Sequence, residues 1–421
     1  MELYKHQKKF IELNPEKHLL CWEMGTAKSR AAIEWAKLQP NLRLLIICPK
    51  GLVSNWIREL EKWGLEEHMG KENFEKNVMI MSKETIRTEV KNGTIDLYNS
   101  VIVDEAHYFA GHTSQMSKAL GSYVVAYEPK ILLLTGTPFM SNALNVMRLG
   151  QILGRKDWTY WEFNKLFFNH VRMGSRIVPV QKQDFNSKQL LASMTKSLGS
   201  VVKMEDCVDV PSSNEYAEHL SMTSEQLKIQ TKMELEFLPA ITLYTKFHQL
   251  SGGTMVGDEF TPSKTEINSA KKNRLMDILE EKDKVIVVAR YKLEIRMLYN
   301  AVKKKFGKDK FVYYITGDTP AEDRDAIIQK VRMLDNVVLI VNAALSEGWE
   351  APEIETMVFY SHSWSLKDYL QMKARIQRIN DLRHRTYIHL LVEGMTDEGV
   401  YKSLLNKNDF LIHIYANQKE I

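Results

Sequence analysis

Cysteine is scarce: Cys21, Cys48 and Cys207 are the full complement in 421 residues. Their wide spacing excludes a zinc module or a disulfide framework and points to packing in a reducing compartment. No apolar run is long enough to cross a bilayer. The opening Met1-Glu-Leu-Tyr-Lys has no signal-peptide pattern, so the expected location is the cytoplasm. Charge of one sign is also missing. The 57 Lys and Arg are nearly balanced by 53 Asp and Glu, leaving +4. No global basic field announces nucleic acid, although a local basic cleft fits these numbers. No nuclease motif is recognisable. With 44% apolar and 26% charged residues the composition is that of a globular protein. The length divides it into two or three domains.

The most informative stretch is Val101-Ile-Val-Asp104-Glu105-Ala-His107. Apolar β-formers running into two carboxylates read as a buried strand that delivers acids to a cleft. Neighbours on a strand point opposite ways, so one of Asp104 and Glu105 can hold a metal ion while the other orients a water. Upstream, Met24-Gly25-Thr26-Ala27-Lys28-Ser29 lies between a strand and a helix. A phosphate loop ends in Gly-Lys-Ser/Thr; this one ends in Ala-Lys-Ser. Such a loop turns backbone N–H groups toward a phosphate at a helix N-terminus. Lys28 then reaches the β- and γ-phosphates and the Ser29 hydroxyl ligates Mg²⁺. Where close approach or an unusual φ is required, the Ala27 methyl weakens binding or turnover.

Strand and helix alternate in the first third. Strands are predicted at 18–24, 43–49, 77–82, 100–105 and 130–137, and helices at 29–37, 51–63 and 114–125. This predicts a parallel sheet covered on both faces, with ligands beyond the carboxyl ends of the strands. The loop, Pro49-Lys50, Ser82-Lys83, Asp104-Glu105 and Thr135-Gly-Thr-Pro138 all fall at such ends. From about 149 to 265 the rhythm changes. Helices are expected at Trp158–Phe168 and Ser221–His248, with a strand and linker at Val201–Pro211 and turns near 251 and 257–262. Alternation returns with strands at 284–290, 311–317, 336–343, 356–363 and 386–393, and helices at 292–304, 321–333, 366–378 and 396–405. This second α/β domain has no phosphate loop of its own, which suggests a nucleotide held between the two. Gln371-Met-Lys-Ala-Arg375-Ile-Gln-Arg378 supplies cations. At i and i+3 on a helix, Arg375 and Arg378 share one face, with Gln371 on the same side.

These motifs resemble the Swi/Snf-like branch of superfamily 2 helicases. Leu3-Tyr4-Lys-His-Gln7 resembles the adenine-reading Q-type motif, and Glu23–Ser29 resembles motif I. Ile47–Trp56, followed by Glu59 and Lys62-Trp63, resembles motif Ia. Asp104-Glu-Ala-His107 resembles the motif II box and Thr135-Gly-Thr-Pro138 motif III. Lys284–Arg290 is similar to motif IV, Thr316-Gly-Asp318 with Arg324 to the next block, Ser346-Glu-Gly348-Trp-Glu350 to a weakened motif V, and Gln371–Arg378 to motif VI. The resemblance implies an α/β fold of two RecA-like parallel-sheet domains in tandem with helical protrusions. The first domain is set at 1–211, with a protrusion at about 150–200, and the second at 212–421, with a protrusion at about 221–265. It also implies ATP and Mg²⁺ as cofactors and duplex, forked or branched DNA as partner. Tyr4, Gln7, Met24–Ser29, Arg30 and Gly348 are the implied nucleotide contacts. Ser29 and Asp104 hold the metal. Lys28, Asp104, Glu105, Gln371, Arg375 and Arg378 are catalytic. Lys50, Ser54, Ser82, Lys83, Arg290, Lys292 and Thr316 lie along a phosphate-gripping track. Compactness resembles stand-alone phage or bacterial members, including branch-migration helicases.

Plainer readings stand beside these. Asp104-Glu105 solvates a loop, His107 is a solvated or hydrogen-bonded histidine, and the arginines form a solvated helix face. Trp56, Trp63 and Trp161 pack a core or protrusion. The basic stretch Thr265–Arg274, with Lys264, Lys271, Lys272 and Arg274, is either a DNA-facing linker or a solvated face. The rival functions are a nucleotide-gated binding protein impaired by Ala27 and the motor subunit of a restriction-type complex.

Overall fold

Short, fully apolar strands such as Leu44–Cys48, every residue of which is buried, require cover on both faces. The computed structural model meets that requirement with helices around two parallel sheets. It describes residues 2–65, 77–136, 142–173, 176–207, 212–234, 239–257, 266–345, 349–377, 381 and 383–415, with side chains through 406. The chain clusters into two compact units, 1–208 with 409–421, and 209–408.

The first unit runs α1 (Lys5–Leu13), β1 (Lys17–Trp22), α2 (Lys28–Lys37), β2 (Leu44–Cys48), α3 (Val53–Lys62), β3 (Val78–Ser82), α4 (Lys83–Asn92), β4 (Ser100–Val103), α5 (Gln115–Tyr127), β5 (Lys130–Thr135) and α6 (Ala143–Ile152). It continues through α7 (Tyr160–Phe167), β6 (Phe168–Met173), β7 (Arg176–Gln181), α8 (Phe185–Lys196) and β8 (Gly199–Val202). The sheet order is β3-β2-β4-β5-β1-β8, parallel throughout. Its core packs Trp22, Trp35 and Trp56 against the strands. β8 closes one edge of this sheet. Gly199 is opposite Leu19, and a Cβ there would lie 2.0 Å from the Leu19 carbonyl oxygen.

The second unit holds β9 (Ser213–Leu220), α9 (Ser224–Glu234), α10 (Ala240–Ser251), α11 (Ala270–Glu281), β10 (Lys284–Ala289), α12 (Lys292–Phe306), β11 (Phe311–Ile315) and α13 (Ala321–Met333). It ends with β12 (Val337–Asn342), β13 (Thr356–Phe359), α14 (Leu366–Lys373), β14 (Arg385–Val392) and the first part of α15 (Thr396–Tyr415), whose residues from 409 cluster with the first unit. The order β11-β12-β10-β13-β14-β9 is again parallel. The α/β class and the two RecA-like sheets match the expectation.

Several local expectations are corrected. The segment after Phe167 is a β-hairpin, β6–β7, because Phe168 leaves the helix in extended backbone. Ser221–His248 is two helices. Pro239, which cannot donate an N–H, stands in extended backbone at the start of α10. Trp161 is 80% exposed and packs in no core; its ring stands edge-on to Tyr160 at 5.7 Å. The basic stretch is neither a linker nor a solvated face where it is described. It enters α11 through Ser269, whose hydroxyl accepts from Lys272 N, and Lys271 is fully buried in an ion pair with Asp397. Arg274 pairs with Glu218 and Lys272 with Glu266. Thr137, Pro138, Gly348 and Arg378 lie outside the described residues.

Candidate active site

The loop between β1 and α2 takes its shape from two left-handed residues. Gly25 has φ +81° and Ala27 has φ +57°, ψ +46°. Alternating positive and negative φ curls successive N–H groups into an anion-binding concavity. The carbonyls are engaged on the other side. His6 Nε2 contacts Thr26 O at 3.0 Å, Gln7 Nε2 donates to Ala27 O at 3.0 Å, and Thr26 Oγ1 donates to Glu23 O at 2.7 Å. Gln7 is fully buried, and its Oε1 accepts from Tyr4 N at 2.9 Å. The helix that follows has no side-chain cap and no acid in its first turn. Its terminal N–H groups and dipole are therefore left to an anion. At Ala27 the methyl occupies a conformation that costs an L-residue about 1–2 kcal/mol. At Gly25 an added Cβ would lie 2.9 Å from Met204 Sδ.

Lys28 begins α2, and its Nζ donates to Trp22 O at 2.8 Å and Glu23 O at 2.9 Å. Burial lowers its pKa, opposed by the charges of Glu105 and Asp104. Gly136, just past β5, adjoins it: a Cβ there would lie 3.6 Å from Lys28 Nζ. Arg30 is buried, donates to Glu2 O at 3.0 Å and lies 4.1 Å from the Trp63 ring centroid.

β4 ends at Val103, one residue short of the acids. Glu105 adopts φ +50°, ψ +50°. A left-handed turn, rather than strand alternation, thus separates the two carboxylates. Asp104 Oδ2 accepts from Trp56 Nε1 at 2.8 Å and Oδ1 from Glu105 N at 2.9 Å. Burial, reinforced by Glu105, pushes the Asp104 carboxyl up to about 6. Glu105 is buried with Oε2 3.0 Å from His107 Nδ1, and His107 is buried as well. Trp56 does pack the core as expected, but its indole also orients the acid. The sequence reading missed this role, as it missed the support His6 gives the loop.

The remaining candidates in this unit sit past β2 and β3, which are neighbours in the sheet. Lys50 and Ser54 are exposed. Ser82 caps α4 by accepting from Thr85 N, and Lys83 Nζ lies 3.1 Å from the Tyr108 ring centroid.

In the second unit, Arg290 follows β10, and its N–H donates to Glu294 Oε2 and Ser361 Oγ. Lys292 pairs with exposed Asp318. Thr316 follows β11, its N–H donating to Thr319 Oγ1 at 3.0 Å. Gln371 is buried in α14. The expected helix through Arg378 stops at Lys373. A 3₁₀ turn covers 374–376, and Gln377 is extended. Arg375 therefore stands on a tight turn: Nε donates back to Gln371 O at 3.0 Å and NH1 to Trp349 O at 2.7 Å. Arg375 is thus not on an α-helix, and the expected face shared with Arg378 involves a residue outside those described.

Comparison with known proteins agrees with these motifs. The SNF2-related domain model matches residues 3–284, and the helicase conserved C-terminal domain model matches 270–380. An uncharacterized ATP-dependent helicase of Mycoplasma pneumoniae is 23% identical over 95% of this chain and 40% of its own length. The DNA annealing helicase and endonuclease ZRANB3 of Mus musculus is 31% identical over 36% of this chain and 16% of its own length. The chain thus spans well under half of either relative. The Sulfolobus solfataricus SWI2/SNF2 ATPase core in complex with dsDNA aligns at TM-score 0.44 and 19% identity, over 98% of this chain and 95% of that one. On the match across residues 3–284, this chain belongs to the SNF2-related domain family, with a helicase conserved C-terminal domain following.

Proposed function

We propose that the protein is an ATP-dependent DNA translocase or helicase. The observation that carries this reading is the desolvated charge around Lys28. Burial lowers the lysine and raises Asp104, so both hold their charge at a cost that a phosphate and a divalent cation would relieve. The donor set fits the group: a hydroxyl at Ser29, a carboxylate at Asp104 and an uncapped helix N-terminus. When bound, Mg²⁺ would offset the negative charge that builds on the phosphate oxygens. The loop N–H groups bind the phosphates, and Lys28 leaves its carbonyl partners to reach them. Glu105 takes the proton of the attacking water, with His107 beside its carboxylate. Trp56 fixes the orientation of Asp104. Arg375 and Arg378 are assigned to the charge developing on the transferred phosphoryl group, with Gln371 orienting them. Tyr4, Gln7, Met24, Arg30 and Gly348 complete the nucleotide contacts.

DNA is the proposed partner. It is gripped through its backbone by Lys50, Ser54, Ser82, Lys83, Arg290, Lys292 and Thr316, which sit at carboxyl ends of strands or in the elements that follow. The murine relative is named for an action on DNA, and duplex, forked and branched DNA are the forms to test. ATPase rate with and without duplex or forked DNA, alongside a footprint, tests the reading. DNA-stimulated hydrolysis with protection is expected. A DNA-independent rate with no footprint contradicts it.

The left-handed φ of Ala27 favours a second reading: a nucleotide-gated DNA-binding protein that hydrolyses poorly. Single-turnover hydrolysis by the native chain and by Ala27→Gly separates the two. Brisk turnover with alanine in place rules out the second.

A further inference from the structure

The β6–β7 hairpin belongs to neither six-stranded sheet. A two-stranded ribbon alone is marginal in water, yet this one carries its apolar side chains outward: Val171 43%, Ile177 68%, Val178 37% and Val180 46% exposed. Val171 is paired with Val178 across the strands, and Arg172 with Ile177. Its base is fixed. Phe167 and Phe168 are buried, Lys182 Nζ donates to Leu166 O at 2.9 Å, and Gln181 Oε1 accepts from Ala143 N at 2.8 Å. A firmly held base with exposed apolar strands is poised for a partner.

Charge identifies that partner. Residues 163–183 contain Lys165, Arg172, Arg176 and Lys182 and no Asp or Glu, a charge equal to the +4 of the entire chain. Two copies of such a surface repel, whereas a polyanion is attracted. Apolar residues among cations suit a nucleic acid, whose sugar and base edges lie between its phosphates. We propose that the β6–β7 hairpin is a DNA-contacting arm. Entering a groove, the ribbon turns one face, with Arg172, Ile177 and Pro179, to one wall and the other, with Arg176 and Val178, to the opposite wall; the arginines meet phosphates and the apolar residues lie against sugars or an opened base step. The proposal rests on DNA being the partner and places a second contact outside the strand-end track.

The test uses the full chain, a labelled duplex of about 30 base pairs and a fork of the same sequence. Titration over roughly 50–200 mM salt compares the native protein with Arg172→Gln/Arg176→Gln and with Ile177→Ser. Loss of two phosphate contacts should weaken binding roughly tenfold and flatten the log–log salt slope by about 1.8. DNA-free ATPase should be unchanged, which certifies the fold. Ile177→Ser should weaken the fork more than the duplex if the ribbon meets an opened step. Native binding with an unaltered slope in the double variant overturns the arm alone. A native protein that binds no DNA overturns the parent reading as well. Sedimentation that finds self-association lost in the variants, with DNA affinity intact, assigns the hairpin to a second copy and also overturns the proposal.

Discussion

At the scale of single residues, the balance at Ala27 can be estimated. Its left-handed backbone costs about 1–2 kcal/mol, and glycine would relieve this while adding about 0.5–1 kcal/mol of unfolded-state entropy. Ala27→Gly is therefore expected to stabilise the protein by roughly 0.5–1 kcal/mol, read from denaturant midpoints at constant slope. A loss of stability would mean that the surrounding contacts, including Gln7 on the Ala27 carbonyl, need the methyl. Asp104 makes a pH prediction. Its folded pKa, raised to about 6, lies above the ordinary 3.8. The folded state keeps a proton through that window that the unfolded chain has lost, so stability falls as pH rises from about 4 to about 6. Metal–nucleotide binding runs the other way, because it needs the carboxylate, and strengthens as pH rises through about 6. Trp56 Nε1–H holds the pKa down, so Trp56→Phe should move that midpoint upward. Nucleotide affinity measured from about pH 5 to about pH 8 at fixed Mg²⁺ checks this, and coincident midpoints would refute the role of the indole.

At the scale of elements, the buried pair of Lys271 on α11 and Asp397 on α15 ties the two helices together, with Lys271 Nζ also donating to Tyr360 O at 3.0 Å. Lys271→Met alone strands a buried carboxylate and should cost about 3–5 kcal/mol, whereas Lys271→Met/Asp397→Leu should recover most of that. Thermal unfolding of the two variants checks it; equal losses would show that packing, not charge, dominates. This pair also marks where the sequence was hard to read. Four cations near 264–274 look like a surface, because nothing local announces a carboxylate more than a hundred residues away. Strands β2, β4, β10 and β12 were legible, since their apolar runs are fully covered and bounded by polar turns. β9 was not, because Ser-Asn-Glu-Tyr-Ala-Glu-His-Leu lacks an apolar run. Glu215 there is satisfied instead by Tyr369, Lys373 and His389 of distant elements. Burial raises its pKa, but these partners more than offset that and hold it near 2. The hairpin β6–β7 escaped notice because a helical aromatic pattern leads straight into it. The loop and the acid box were legible because their spacing is local. The 3₁₀ turn at Arg375 was not, because its geometry depends on the distant carbonyl of Trp349.

At the scale of the whole molecule, the loop and the acids lie in the first unit, and Gln371 and Arg375 in the second. The proposed function assigns the nucleotide to both sets, so on that proposal turnover would depend on both units and DNA would regulate it. Steady-state ATP hydrolysis is measured for the native chain, Glu105→Gln and Arg375→Ala, each at saturating duplex and without DNA. The expected result is DNA-stimulated native turnover, reduced by roughly 10³-fold or more in each variant, with nucleotide binding retained. Native-like turnover in both variants, or hydrolysis indifferent to DNA, would contradict it.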